Sequence, residues 1–259
     1  MSETVSPNAR AALIERQAAG TLTWFGPAVM LFARSAFAVA AQGLVAIIYA
    51  AHGSIAPWRE AGAWLPVYAT LIDGGCLGML WWLVRREGIR LRDLIGFDRQ
   101  RLGRDLLFGI VLIPPSLLLI LAGNFASSWL VYGNLTAPDI FGHLPLLPTL
   151  YGVFVFPLLW GITEQTTYNG YLLPRLQVLS GSTGFAVAIV AFSWSFQHVV
   201  LPLTFDPHFM LYRMLSPLLF STFIAIVYLR MRRIVPLATA HWLMDGGDSV
   251  VRTLLPLLR

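Results

Sequence analysis

Glu164, His198, His241 and Asp245 all stand inside strongly apolar stretches of this chain. Carboxylates and imidazoles are the side chains that exchange protons during catalysis near neutral pH. In hydrocarbon they are expensive, so each one is a candidate for function. His241 and Asp245 are four residues apart and share a helix face, and Asp248 lies three further along it. Gln165 and Asn169 repeat that spacing with two neutral amides. Trp194 precedes His198 by one turn, and Tyr168 lies on the face of Glu164. Arg34, Asp73 and Arg213 are further ionisable residues within apolar runs.

Depth brings the first group together. At about 1.5 Å per helical residue, counted from the nearest expected cytoplasmic ends near Arg175, Gly184 and Arg233, Glu164 lies roughly 16 Å deep. The same rise puts His198 at roughly 21 Å, His241 at roughly 12 Å and Asp245 at roughly 18 Å. Three separate spans thus deliver a Glu, a His and a His/Asp pair to one slab. Each residue also has a plainer reading. Glu164 could cap a helix end in headgroup water, and His198 could be a hydrogen-bonded core histidine. His241 and Asp245 could form only a structural bond, and Asp248 could approach the outer interface. Arg34 and Asp73 read as an interhelical polar pair or as unrelated packing contacts. Phe192, Trp194 and Phe196 read as packing. Their co-occurrence at matching depth favours a site.

The elements that must position them are membrane spans. The chain is 57% hydrophobic and 12% charged, against about 25% charged in soluble domains. Seven apolar runs approach or exceed the roughly 20 residues a crossing needs. They lie near 24–51, 64–84, 106–133, 146–174, 184–203, 209–229 and 234–257. The expectation is an all-α, multi-pass transmembrane helix bundle of seven or eight spans, formed by residues 1–259 as a single integral membrane domain. Pro114 and Pro115 predict a kink or break in the third run. The first twenty residues are polar and contain no signal-peptide core. The single cysteine, Cys76, excludes an internal disulfide and a multi-cysteine metal site.

All 18 basic residues are Arg, and the net charge of +5 sits beside the apolar runs. That distribution suits membrane orientation rather than nucleic acid. "RREGIRLRDLIGFDRQRLGRD" holds seven Arg. Arg175, Arg230, Arg232 and Arg233 mark two further ends on the same side. "YGNLTAPDIFGH" and "TFDPH" hold none. The N-terminus and the arginine-rich loops are therefore expected in the cytoplasm. "LRDLIGFDRQRLGRDLLFG" has the pattern of a short amphipathic surface helix. An arginine-only basic set suits a GC-rich genome, and so a bacterial inner membrane.

The motifs "EQTTYNGYLLPRL", "WSFQH" and "HWLMD" resemble, in order and spacing, those of the CPBP family of CAAX proteases and bacteriocin-processing (Abi) enzymes. The likeness covers approximately residues 85–250. The family's first motif is Glu-Glu-x-x-x-Arg, and here its second Glu is Gln165 and its Arg is Asn169. Its third motif is His-x-x-x-Asn or Asp, met by His241 and Asp245. The resemblance implies an intramembrane endopeptidase of the type II CAAX prenyl protease type, with no cofactor. Glu164 and His198 would activate water, and His241 with Asp245 would serve the oxyanion, supported by Gln165, Asn169 and Trp194. The implied partners are the lipid bilayer and a peptide or membrane-protein substrate. One alternative is a zinc enzyme with Glu164, His198, His241 and Asp245 as an N2O2 set. Another is a catalytically inactive relative that binds a partner. A transporter is a third, unsupported by any repeat.

Labelling of engineered cysteines in intact cells should find the loop from Arg85 to Arg104 on the cytoplasmic side. A label near Asn134 should react from outside, and the reverse pattern would overturn the orientation.

Overall fold

The computed structural model describes residues 7–136, 138 and 144–258. Helix accounts for 81% of the structure, and there is no strand among the described residues. Water is absent from a bilayer core, so a spanning chain has to satisfy its own backbone, and helices do so within each segment. α1 (Arg10–Ala18) precedes the first span, α2 (Phe25–Ala51). The short α3 (Pro57–Gly62) leads into α4 (Leu65–Arg86), which packs on α2. α5 (Arg92–Ile95) is a single turn before α6 (Leu102–Tyr132). The fourth run is built from α7 (Leu146–Phe154), α8 (Phe156–Gln165), a π-helical stretch (Thr166–Leu172) and α9 (Leu173–Ser180). α10 (Thr183–Gln197) ends in a 3₁₀ turn, His198–Val200. α11 (Pro207–Leu215) and α12 (Leu218–Met231) share the next run. α13 (Val235–Ser249) continues through π-helical Val250–Leu254 into α14 (Leu255–Leu257).

Six of these runs are long and apolar enough to cross a membrane, and the protein is a multi-pass membrane protein. The seventh expected run is also helical. It carries Asp245, Asp248 and Arg252 within its length and lies against α6 and α8.

Three local expectations differ from the structure. Of the kink or break expected at Pro114 and Pro115, the break does not occur, and α6 continues as one helix on either side of them. Neighbouring helices and local adjustment satisfy backbone groups that proline frees in a membrane span. The expected amphipathic surface helix is instead two short pieces. Gly96 stops α5 in a left-handed conformation, and the Asp98 side chain accepts from the Gln100 N–H to start a 3₁₀ turn. Arg175 is not a loop charge. It is buried in α9, where its Nε and Nη2 donate to the two oxygens of Glu87 at 2.8 and 2.6 Å. Part of the outer loop, residues 137 and 139–143, lies outside the described residues.

The bundle separates an apolar exterior from a tight interior. Leu107, Val111, Leu118 and Trp129 of α6 face outward, while Gly109, Leu112, Ser116 and Gly123 face inward. Small residues let membrane helices approach closely. A Cβ on Gly109 would press on Thr239 and the Pro236 carbonyl, and one on Gly123 would run into the Ser216 carbonyl. One end of the bundle is tied by the segment before α2. The Asn8 amide donates to the Gly170 carbonyl at 2.7 Å and to the Tyr228 hydroxyl at 3.2 Å. Arg16 Nε lies 3.7 Å from Glu87. Leu13 and Leu22 bury against Val178 of α9.

Gly123→Ala should destabilise the purified protein in detergent by about 1–3 kcal/mol, because its methyl group meets backbone that cannot swing aside. Gly74→Ala, where nothing lies within 4 Å of an added Cβ, should leave the unfolding midpoint unchanged or raised. Equal effects of the two would show that the α6 contact is not tight.

Candidate functional site

The apolar run preceding Glu164 makes α8 a buried helix, and its sequence governs what it touches. Pro157 at its start accepts the break after Val155. Gly161 lets α13 approach, since a Cβ there would sit 3.3 Å from both the Ala238 carbonyl oxygen and the Trp242 backbone nitrogen. α13 thereby brings His241 alongside Glu164, with Nε2 3.7 Å from Glu164 Oε2. Directly after Gln165 the chain widens into the π-helical stretch that carries Tyr168, Asn169 and Gly170. Such segments are rare and often accompany functional sites.

Glu164 has no exposed surface. A buried carboxylate needs donors and an opposite charge, or it costs several kcal/mol. It has both. Trp194 Nε1 donates to Oε2 at 2.8 Å, and Gln197 Nε2 donates to Oε1 at 2.6 Å. The Arg34 guanidinium of α2 lies 3.7 Å from Oε1. Arg34 also donates through Nη1 to Asp73 Oδ1 at 2.9 Å and through Nε to Gln197 Oε1 at 2.8 Å. Its guanidinium lies 4.2 Å from the Trp160 ring centre. Of the two readings of Arg34 and Asp73, the interhelical polar pair is the one the structure holds, and the pair reaches Glu164.

His241 is held from two sides. Gln165 Nε2 lies 3.3 Å from Nδ1, and Asp245 Oδ2 lies 3.2 Å from Nε2. An amide N–H can only donate, so Nδ1 accepts and the ring proton sits on Nε2, facing the carboxylates. Gln165 is fixed in turn by Asn169, whose Nδ2 donates to Gln165 Oε1 at 2.7 Å. The two amides therefore bond to one another as their spacing allows. Asp245 is about one-third exposed, while Glu164 is enclosed.

His198 stands beside this set rather than within it. Its Nδ1 lies 2.9 Å from the Trp194 carbonyl. A carbonyl can only accept, so Nδ1 carries the proton and Nε2 is left as an acceptor. No hydrogen bond or ion pair joins His198 to Glu164 among the described residues. Arg213 lies close to His198, with Nη2 donating to the Leu201 carbonyl at 2.8 Å. Among the described residues, no group of three or more His, Cys, Asp or Glu is arranged to hold a metal ion. The four residues of the zinc alternative do not form such a group here.

The structure therefore joins Glu164, His241, Asp245, Gln165, Asn169 and Trp194 into one connected set. Sequence reasoning missed Gln197, although a polar residue inside "WSFQH" was a visible signal. It also left Arg34 without a link to Glu164, because the two are 130 residues apart and no spacing rule connects them.

Fold and site define a multi-pass helical membrane protein with an enclosed carboxylate beside a histidine. Residues 146–247 match the family model described as "Type II CAAX prenyl endopeptidase Rce1-like". That segment, less than half of the chain, is similar to a family of CAAX-type intramembrane proteases, the CPBP family. Comparison with curated proteins and with solved structures gave no match.

Trp194→Phe keeps a ring against Tyr168, which stacks on it at 5.4 Å and 6°, but removes the N–H given to Glu164. A hydrogen bond to a charged group is worth roughly 1.5–3 kcal/mol, and denaturant unfolding in mild detergent should show a loss of that order. An unchanged unfolding curve would mean that Glu164 does not depend on this donor.

Proposed function

We propose that this protein is an intramembrane endopeptidase that hydrolyses a peptide bond in or near the lipid bilayer. Glu164 is the general base. It takes a proton from water as the water oxygen attacks the peptide carbonyl carbon. His198 holds that water through Nε2. The carbonyl oxygen becomes an oxyanion and receives a hydrogen bond from His241 Nε2–H, with Asp245 and Gln165 fixing the ring. Glu164 then passes its proton to the departing amine as the C–N bond breaks, leaving a carboxylic acid and an amine. Proton transfer of this kind and a preorganised oxyanion donor are each established sources of rate. The observation that carries the reading is the enclosed Glu164 carboxylate beside His241 Nε2, held within a segment that matches a protease family.

Residues 85–250 form the catalytic core of a single membrane domain in this reading. The N-terminus lies in the cytoplasm, the membrane is a bacterial inner membrane, and no cofactor is required. The substrate is a membrane-associated peptide or protein.

A second reading has one observation in its favour. Both Glu164 oxygens already accept hydrogen bonds, and the residue has no surface open to water. That arrangement also suits an inactive relative that binds a membrane peptide or serves as a scaffold.

Purified protein should cleave members of a membrane-peptide library. Glu164→Gln should fold and lose activity by on the order of 10²–10⁴-fold. His198→Ala should lose a similar amount, and chelators should have no effect. Wild-type protein that binds a peptide tightly yet cleaves none would favour the inactive relative, and chelator-sensitive cleavage would favour a metal enzyme.

A further inference from the structure

We infer that Arg34, on the first span, is the positioning residue that holds the charge of Glu164. The inference deepens the proposed hydrolytic site and rests on that reading for its catalytic part, though its electrostatic part stands on the geometry alone.

The argument starts from the surroundings of Glu164. Position 169 holds a neutral Asn, and that Asn is engaged with Gln165. Among the described residues of the matched segment, 146–247, no cation is in contact with Glu164 except His241 when it is protonated. Arg34 lies outside that segment, on α2, and is itself fully buried. It addresses Glu164 twice. Nη2 points at Oε1 from 3.7 Å and has no hydrogen-bond partner of its own among the described residues. Nε grips the Gln197 side-chain carbonyl oxygen, which turns the Gln197 amide so that its N–H reaches the same Oε1. Gln197 can present only one end to each neighbour, so the Arg34 contact sets the direction in which Gln197 donates.

Asp73 completes the unit. It fixes Nη1 of Arg34, and its second oxygen is buried without a hydrogen-bond partner among the described residues. One guanidinium thus faces two carboxylates. The trio carries a net negative charge, which a proton taken up at Glu164 would cancel. A base that must accept a proton from water and hand it on benefits from that balance. The Trp160 ring, its centre 4.2 Å from the guanidinium carbon, adds a cation–π contact that holds Arg34 in place.

Several groups face Glu164 and bear on its titration. Arg34 comes from α2, and Asp73 and Cys76 from α4. His241 and Asp245 come from α13, and Tyr168 follows on its own run. Arg213 of α11 lies within electrostatic reach. Of these cations, Arg34 is the one in direct polar contact with both Glu164 and the group that hydrogen-bonds it.

The test separates service to Glu164 from service to Asp73. Arg34→Met combined with Asp73→Asn removes the interhelical pair but leaves Glu164 without its cation. Thermal unfolding in detergent should show this double variant well below wild type, and adding Glu164→Gln should recover much of the loss. A double variant that fails to fold, rescued to a folded state by Glu164→Gln, supports the inference equally. A double variant as stable as wild type, or one that Glu164→Gln does not improve, would overturn it. These outcomes do not require activity, so they stand even if no peptide is cleaved. If cleavage is found, Arg34→Met/Asp73→Asn should lower kcat by roughly 10²-fold or more with little change in KM. It should also move the acidic limb of the pH–rate profile upward, and Arg34→Lys should restore part of both. An unmoved profile with unchanged kcat would likewise overturn it.

Discussion

A carboxylate enclosed in a membrane bundle sets the terms for everything around it. In hydrocarbon an ion has no water to lean on, so its stabilisation must come from other helices, and it must come from several directions. Glu164 draws on three. α2 supplies a guanidinium, α10 supplies an indole N–H and an amide N–H, and α13 supplies an imidazole. None of these contacts is possible unless the backbones approach closely. The small residues at the crossings, such as Gly161 against α13, thus belong to the electrostatics as much as to the packing. Filling a methyl-sized space at such a crossing would push a donor out of reach of the charge.

The π-helical stretch after Gln165 serves the same constraint. A π turn holds more residues than an α turn, so it rotates the later residues about the helix axis. Here Thr166 to Leu172 are all buried. Tyr168 lies flat on Trp194, the indole that feeds Glu164, and Asn169 turns back to Gln165, which holds His241. The "TTYNGYL" segment is thereby a brace for two of the site's donors.

Much of the fold and part of the site are legible in the amino-acid sequence. The apolar run lengths place the spans within a few residues, because hydrocarbon thickness imposes helix length directly. The i,i+4 rule correctly pairs His241 with Asp245 and Gln165 with Asn169, since those pairs lie on single helices. The rule has no purchase on Gln197 or on the reach of Arg34 to Glu164. Both depend on how helices rotate and cross, which no local spacing encodes. Arg175 misleads for a related reason. Arginine at a span end usually faces headgroups, but the acidic partner that pulls it inward, Glu87, belongs to a different part of the chain. The shared depth of His198 with Glu164 brings it near the site, yet its ring turns to its own helix, a choice that depth alone does not constrain.

The strap formed by the first described residues implies an order of assembly. Asn8 bonds to a carbonyl 162 residues later and to a hydroxyl 220 residues later. During synthesis this segment leaves the ribosome long before Gly170 or Tyr228 exists. It can dock only when the run ending at Met231 is in place, because Tyr228 lies on that run. The strap is therefore made early and reaches its final contacts late. Because its anchor is the carbonyl of Gly170, docking closes over the same π-helical brace that supports Glu164. The unfinished bundle lacks that closure, and the nascent protein gains it only once Tyr228 has been made and its helix packed.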